Sequence, residues 1–229
     1  MSEEKEMGVV VPALTEADLK EVSAATRGHY DDNALSFREG TWDHDVQQNI
    51  AALLRHLEGT PPFRVLDFGC GPGRDLVDFS GRGHEAVGLD GSARFCEMAR
   101  ATSGCEVLHQ DFLHLSLPEG SFDGVFANAS LFHVPGQELP GVLGELHQCL
   151  KPRGVLFCSN PRGDDKEGWS GRRYGRYHTL HSWTRILSAA GFEALEHYYR
   201  PPGRPRDQQP WLATVWRKAS WKGSGQGHG

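Results

Sequence analysis

Two carboxylates and three glycines carry the clearest chemical signal in the chain. Asp67 stands two residues before Gly69, Gly71 and Gly73, which alternate through the stretch Arg64-Val65-Leu66-Asp67-Phe68-Gly69-Cys70-Gly71-Pro72-Gly73-Arg74-Asp75. Asp90 closes the next apolar run, Ala86-Val87-Gly88-Leu89. A short apolar run breaking into alternate glycines reads as strand, tight turn and helix start, where a ligand meets the main chain closely and free helix amides face it. The carboxylate of Asp67 suits a ligand that is cationic near the loop, because it would repel an anion. An acid one strand further on, such as Asp90, accepts both hydroxyls of a ribose.

Two related fingerprints are excluded. A dinucleotide loop needs glycine where Arg74 stands, and a phosphate-cradling loop needs a Gly-Lys pair that occurs nowhere in the chain. A nucleoside that carries positive charge points to S-adenosylmethionine.

The elements that must position these residues alternate between strand and helix patterns. Strands are expected at 64–68, 85–90, 106–109, 122–128 and 154–160, with helices near 74–82, 92–102 and 137–150. Such alternation implies an α/β, Rossmann-like doubly wound sheet with ligands at the carboxyl ends of its strands. Asp67, Asp90, Asp111 and Asn128 all fall at such ends. After a helix near 181–190, runs 193–199 and 211–217 read as an antiparallel pair at the sheet edge, giving seven strands with the last antiparallel. Before the core, Thr15 to Asp18 is a capping-box pattern that starts a helix over about 16–26. The polar stretch from Tyr30 to Phe37 reads as loop, and residues 41–57 as an amphipathic helix with Trp42 and His44 at the mouth of the site. The expected organisation is a helical N-terminal cap over 1–62, a core over 63–218 with an Arg-, Gly- and Tyr-rich lid loop at 161–179, and a disordered tail over 219–229. Residues 1–13 read as frayed.

Composition bounds the function. At 229 residues with 30 acids against 24 bases, net charge −6, the chain can bury a substantial core and has no dominant basic surface, so neither nucleic acid nor membrane is an expected partner. No apolar run approaches a membrane span and the acidic start is no secretory signal, which predicts a cytoplasmic protein, monomer or homodimer. Five cysteines without a C-x-x-C read as reduced thiols, and twelve scattered histidines, His109 and His114 beside Asp111 included, read as surface groups, with no metal expected.

Five motifs in order, Val65 to Gly73, Gly88-Leu89-Asp90, Gln110-Asp111-Phe112, Phe122-Asp123-Gly124-Val125 and Leu150-Lys151-Pro152-Arg153-Gly154, resemble the class I, Rossmann-like methyltransferases that use S-adenosylmethionine and release S-adenosylhomocysteine. The resemblance implies that Asp111 accepts from the adenine amino group, that Phe112 offers its N–H and an apolar face, and that Gly91, Ser92, Asn128, Ala129 and Ser130 complete the cofactor site. It places the Tyr30 hydroxyl near the methionine carboxylate and Phe37 in the pocket wall, while Phe37 reads equally well as a packed N-terminal aromatic.

Further runs, Asp43 to Asn49, Ala129 to Pro135, Ser159 to Gly163, Tyr198 to Gly203 and Gln208 to Ala213, resemble the C-terminal methyltransferase module of ovothiol synthases. That implies a small-molecule acceptor, 5-thiohistidine, N-methylated to ovothiol A. Methyl transfer is an in-line displacement, so the protein must align nucleophile, carbon and sulfur. His133 and Asn160 are candidates for orienting the ring, with His133 either a base or a structural group; Arg162, Tyr174, Tyr177 and His44 are candidates for the amino-acid end and lid. Arg172, Arg173 and Arg176 read equally well as a solvated loop face. Alternatives are a methyltransferase for another small acceptor, one for protein or RNA, and a non-catalytic S-adenosylmethionine-binding regulator.

Overall fold

The structure, a computed structural model, describes residues 13–219. The start that the sequence reads as frayed, apart from residue 13, and the tail it reads as disordered, from residue 220 onward, lie outside the described residues.

Three helices come first: α1 (Glu16–Asp32), α2 (Ala34–Thr41) and α3 (Gln47–Leu54). The core follows as β1 (Arg64–Phe68), α4 (Arg74–Gly81), β2 (Glu85–Asp90), α5 (Ala93–Ser103), β3 (Glu106–His109), β4 (Phe122–Asn128), α6 (Leu139–Cys149) and β5 (Leu150–Pro161). The described residues end with β6 (Glu167–Ser170), β7 (Arg173–Arg176), α7 (Leu180–Ala189), β8 (Phe192–Arg200) and β9 (Trp211–Lys218).

Seven strands form one sheet in the order β3-β2-β1-β4-β5-β9-β8. β1 to β5 pair in parallel, β9 is antiparallel to both β5 and β8, and the sheet is therefore Rossmann-like with a reversed last strand. The hairpin is not simply appended: β9 inserts between β5 and β8, so β8 runs parallel to the core and its carboxyl end, Arg200, arrives at the same edge as Asp90 and Asn128.

Side-chain alternation assigns the two faces. Leu66, Phe68, Val87, Leu89, Leu156 and Cys158 pack with α6 and α7. Val65, Ala86, Phe126, Val155 and Phe157 pack with Ile50 and Leu53 of α3, Leu76 and Phe79 of α4, and Ala99 of α5. Both faces are buried, and fully burying each such side chain contributes roughly 1.5–3 kcal/mol.

Three local expectations change. The Thr15/Asp18 capping box forms, but α1 continues through Asp32 and α2 takes up Ala34 to Thr41, so the segment read as loop is helical. Its polarity reflects tertiary partners: the Asp31 carboxylate accepts from Ser92 Oγ (2.6 Å) and Arg94 N (3.1 Å). The amphipathic helix is also shorter than expected, a turn preceding α3. Within 161–179, β6 and β7 form a two-stranded hairpin, tied to α1 by Tyr174 N donating to Thr26 Oγ1 (3.1 Å) and by Arg172 against Asp32 (2.6 Å).

Candidate active site

One cavity of about 790 Å³ opens over the carboxyl edge of the sheet, roofed by α1, α2 and β7. Its floor is the glycine loop. The three glycines are required for different reasons. A Cβ on Gly69 would lie 2.4 Å from Ser130 Cβ, and one on Gly73 2.8 Å from Ala99 Cα, so these two let β4 and α5 close against the loop. Gly71 has φ +52°, and a Cβ there would project toward the cavity, its nearest neighbour Phe37 Cε1 at 3.8 Å.

Asp90 is the best-defined polar group of the floor. Its Oδ2 accepts from Gly71 N (2.9 Å) and its Oδ1 from Ser92 N (2.8 Å), leaving each oxygen a lone pair for a further donor. Burial pushes its pKa up to about 6, against the opposing pull of the Ser92 and Gly71 amides. Gly91 lines the wall beside Arg27. At the far end Asp111 Oδ2 accepts from Ser23 Oγ (2.6 Å) and faces Arg27 at 3.5 Å, while Phe112 stacks on Phe68 with centroids 4.3 Å apart. Asn128, Ala129 and Ser130 line the cavity after β4; Ala129 has φ +66°, and the buried Ser130 Oγ has no partner among the described residues.

The roof brings aromatic groups together. Tyr30 packs edge-on to Phe37 (5.6 Å) and against Phe95 (5.6 Å). Its hydroxyl lies 2.8 Å from His133 Nε2, and His133 Nδ1 lies 2.6 Å from the Tyr174 carbonyl. A carbonyl only accepts, so Nδ1 carries the proton and neutral His133 accepts the Tyr30 proton at Nε2. Burial, with the positive Arg173 nearby, lowers the His133 pKa to about 4, which keeps the ring neutral. His44 lines the opposite rim.

Six residues singled out in the sequence do not line the cavity. Asp67 shares the Val65 face of β1 and is buried beneath α4; burial and the adjacent Asp75 charge raise its pKa well above the usual carboxylate range. Gly73 supports the loop by helix packing. Asn160 is buried on the face opposite Ser159, and it is Ser159, paired across from Asn128, that reaches the cavity. Arg162 is turned into the β8–β9 loop, where Nε donates to Gln209 O (3.2 Å) and Nη2 to Arg206 O (2.7 Å). Tyr174 gives its hydroxyl to Glu167 (3.0 Å) and supports His133 through its carbonyl, and Tyr177 stands behind Phe132, ring centroids 6.1 Å apart.

Other cavity groups were not singled out. Asn49 Nδ2 donates to Asn128 Oδ1 (3.0 Å), Asn128 Nδ2 reaches Asp75 Oδ2 (3.3 Å), and Arg74 pairs with Asp75 (2.7 Å) while donating to Thr41 O (2.8 Å). Arg173, Arg200 and Trp211 complete the wall. Sequence signals existed for two of these. Asn49 is a polar residue inside the apolar stripe of α3, and Arg200 ends a strand at the ligand-bearing edge. Among the described residues no group of three or more His, Cys, Asp or Glu could hold a metal ion, and no helix is long and apolar enough to cross a membrane.

Comparison with known proteins places this arrangement. Residues 65–154 match the family described as a methyltransferase domain. The 1,6-didemethyltoxoflavin-N1-methyltransferase of Burkholderia thailandensis, solved with its didemethyltoxoflavin and S-adenosylhomocysteine, superposes with TM-score 0.75 at 24% identity, covering 93% of this chain and 94% of that one. A methyltransferase from Mesorhizobium loti superposes with TM-score 0.60 at 22% identity, over 73% of this chain and 96% of that one. Among curated relatives, a sterol 24-C-methyltransferase of Neurospora crassa is 25% identical over 87% of this chain and 61% of its own length. One from Gibberella zeae is 26% identical over 69% of this chain and 46% of its own length, so the chain spans about half the length of these relatives. Residues 65–154 of the chain thus match a methyltransferase domain, and the chain shares its Rossmann-like fold with solved methyltransferases.

Proposed function

We propose that the chain transfers a methyl group from S-adenosylmethionine to a ring nitrogen of a small acceptor, and that the acceptor is 5-thiohistidine, giving ovothiol A. One observation carries the donor half of the reading. The Asp90 carboxylate, held by Gly71 and Ser92 amides with a free lone pair on each oxygen, shares a cavity with Asp111 and the open side of Gly71. These residues fit the donor: Asp90 for the ribose hydroxyls, Asp111 for the adenine amino group, and the loop amides and Asn128 for the methionine end. When bound, S-adenosylmethionine supplies an electrophilic methyl on a sulfonium.

The chain's own residues then align and exclude water. Phe37, Tyr30 and Phe95 cover the glycine loop, which keeps the reacting centre dry. His133 holds the Tyr30 hydroxyl in one orientation through its unprotonated Nε2. A ring nitrogen already has its lone pair, so alignment rather than a strong base is what the site must provide, and neutral His133 is suited to that positioning task. Support for the acceptor comes from the runs resembling the ovothiol synthase module, from the N1-methyltransferase among the similar folds, and from Arg173 and Arg200 in the wall, which have no carboxylate partner among the described residues. A sterol acceptor, as in the curated relatives, would leave those two cations buried against hydrocarbon.

Calorimetric titration with S-adenosylhomocysteine tests the donor site, and methyl transfer to 5-thiohistidine, histidine and histamine tests the acceptor. Failure to bind S-adenosylhomocysteine removes the first half. Equal turnover of histidine and 5-thiohistidine removes the second.

A further inference from the structure

Two of the four arginines that line the cavity are neutralised by a carboxylate: Arg27 faces Asp111 at 3.5 Å and Arg74 faces Asp75 at 2.7 Å. Outside the lining, Arg172 pairs with Asp32 (2.6 Å) and Arg176 with Glu167 (3.3 Å). Arg173 and Arg200 line the wall, yet neither has an acid within ion-pair distance among the described residues. They occupy different halves. Arg173 stands on the roof beside Tyr30, whose ring packs on Phe95 next to the Asp90 end of the floor. Arg200 ends β8, and in the order β3-β2-β1-β4-β5-β9-β8 it lies four strands from the glycine loop on the side away from Asp90 and Asp111. At about 4.8 Å per strand that is on the order of 19 Å along the edge, beyond the loop that the donor would occupy.

We propose that Arg200 binds a carboxylate of the acceptor, so that the enzyme selects small carboxylate-bearing acceptors of the amino-acid type. The inference rests on reading the cavity as a donor and acceptor site and adds the group that chooses the acceptor. Arg200 Nη2 donates to Asp45 O (2.6 Å), which fixes the plane of the guanidinium, while its Nε is buried with no partner among the described residues. A fixed guanidinium with an unpaired Nε–H is suited to a carboxylate, which can accept from Nε and Nη together. Neighbouring Pro201 and Trp211 supply an apolar surround that strengthens a charge pair over its value in water. Arg162 acts behind this group: it bonds Gln209 O and Arg206 O, and Gln209 Nε2 donates to Pro201 O (3.0 Å), which fastens the loop that follows Arg200.

The test uses the full chain loaded with S-adenosylhomocysteine and two probe pairs, 5-thiohistidine with its decarboxylated amine and histidine with histamine, titrated into wild type, Arg200→Ala, Arg200→Lys and Arg173→Ala. In wild type the carboxylate member of a pair binds at least tenfold more tightly. Arg200→Ala abolishes that ratio, Arg200→Lys keeps part of it, and both retain wild-type affinity for S-adenosylhomocysteine, which also reports that they are folded. No carboxylate preference in wild type, an unchanged ratio in Arg200→Ala, or a ratio lost only in Arg173→Ala overturns the inference. A fall in S-adenosylhomocysteine affinity on Arg200→Lys also overturns it, by giving Arg200 to the donor. If wild type itself does not take up S-adenosylhomocysteine, the donor reading fails instead.

Discussion

Replacing Gly71 by valine should abolish donor binding while leaving the fold in place, and the neighbouring glycines provide the control. At Gly71 a new Cβ meets nothing closer than Phe37 Cε1 at 3.8 Å, so the cost of adding it is conformational: φ is +52°, and an L-residue held there loses about 1–2 kcal/mol, somewhat more when β-branched. For a domain of this size that lowers Tm by roughly 2–4 °C per kcal/mol. The same isopropyl group stands over the cavity floor where the methionine end of the donor would lie, and a loss of S-adenosylhomocysteine affinity of more than about 100-fold, or roughly 3 kcal/mol, is expected. Gly73→Ala reverses the pattern. Its methyl lies 2.8 Å from Ala99 Cα, a backbone atom that cannot rotate away, so overpacking of about 1–3 kcal/mol adds to the φ penalty. Urea melts and calorimetry on the two variants separate the effects. A Gly71→Val protein that titrates normally, or a Gly73→Ala protein of wild-type stability, would refute the division of labour in the loop.

Four further outcomes follow from the same geometry. Asp90→Asn should weaken S-adenosylhomocysteine binding by about 1.5–3 kcal/mol through loss of charge-assisted ribose bonds, read by calorimetry. Because Asp90 titrates at about 6 and the donor's hydroxyls favour its charged form, wild-type affinity should fall up to about tenfold per pH unit below 6, with a flat profile counting against the assignment. Tyr30→Phe should lower kcat more than it raises the KM for S-adenosylmethionine, since it removes the hydroxyl that His133 orients but keeps the ring packed on Phe95; a pure KM effect would make Tyr30 a binding group only. His178 is buried beside Trp183 with neither ring nitrogen hydrogen-bonded among the described residues, and burial lowers its pKa to about 4. Its neutral form therefore contributes stability that is present above pH 6.5 and lost as pH falls toward 4, about 2–3 kcal/mol in all, and His178→Phe should flatten that part of the acid-stability curve.

Local pattern alone determined the core of this protein. The strands 64–68, 85–90, 106–109 and 122–128 stand where the apolar runs and turn residues put them, because alternation and helix period are properties of neighbouring residues. The glycine loop and Asp90 were legible for the same reason: their chemistry is written within a few residues of one strand end. Tertiary structure decided the rest. The helical course of residues 27–41 depends on partners such as Ser92 and Arg94, which lie more than 50 residues away. Whether Ser159 or Asn160 reaches the cavity is a matter of which sheet face each occupies, and a one-residue difference in pleat exchanges a site group for a buried one. Arg162 and Arg200 are both arginines at strand ends, and the sequence gives no ground for choosing between them. The insertion of β9 between β5 and β8 turns the first into the support of a loop and brings the second to the rim, because strand order is set by long-range pairing that no local pattern encodes.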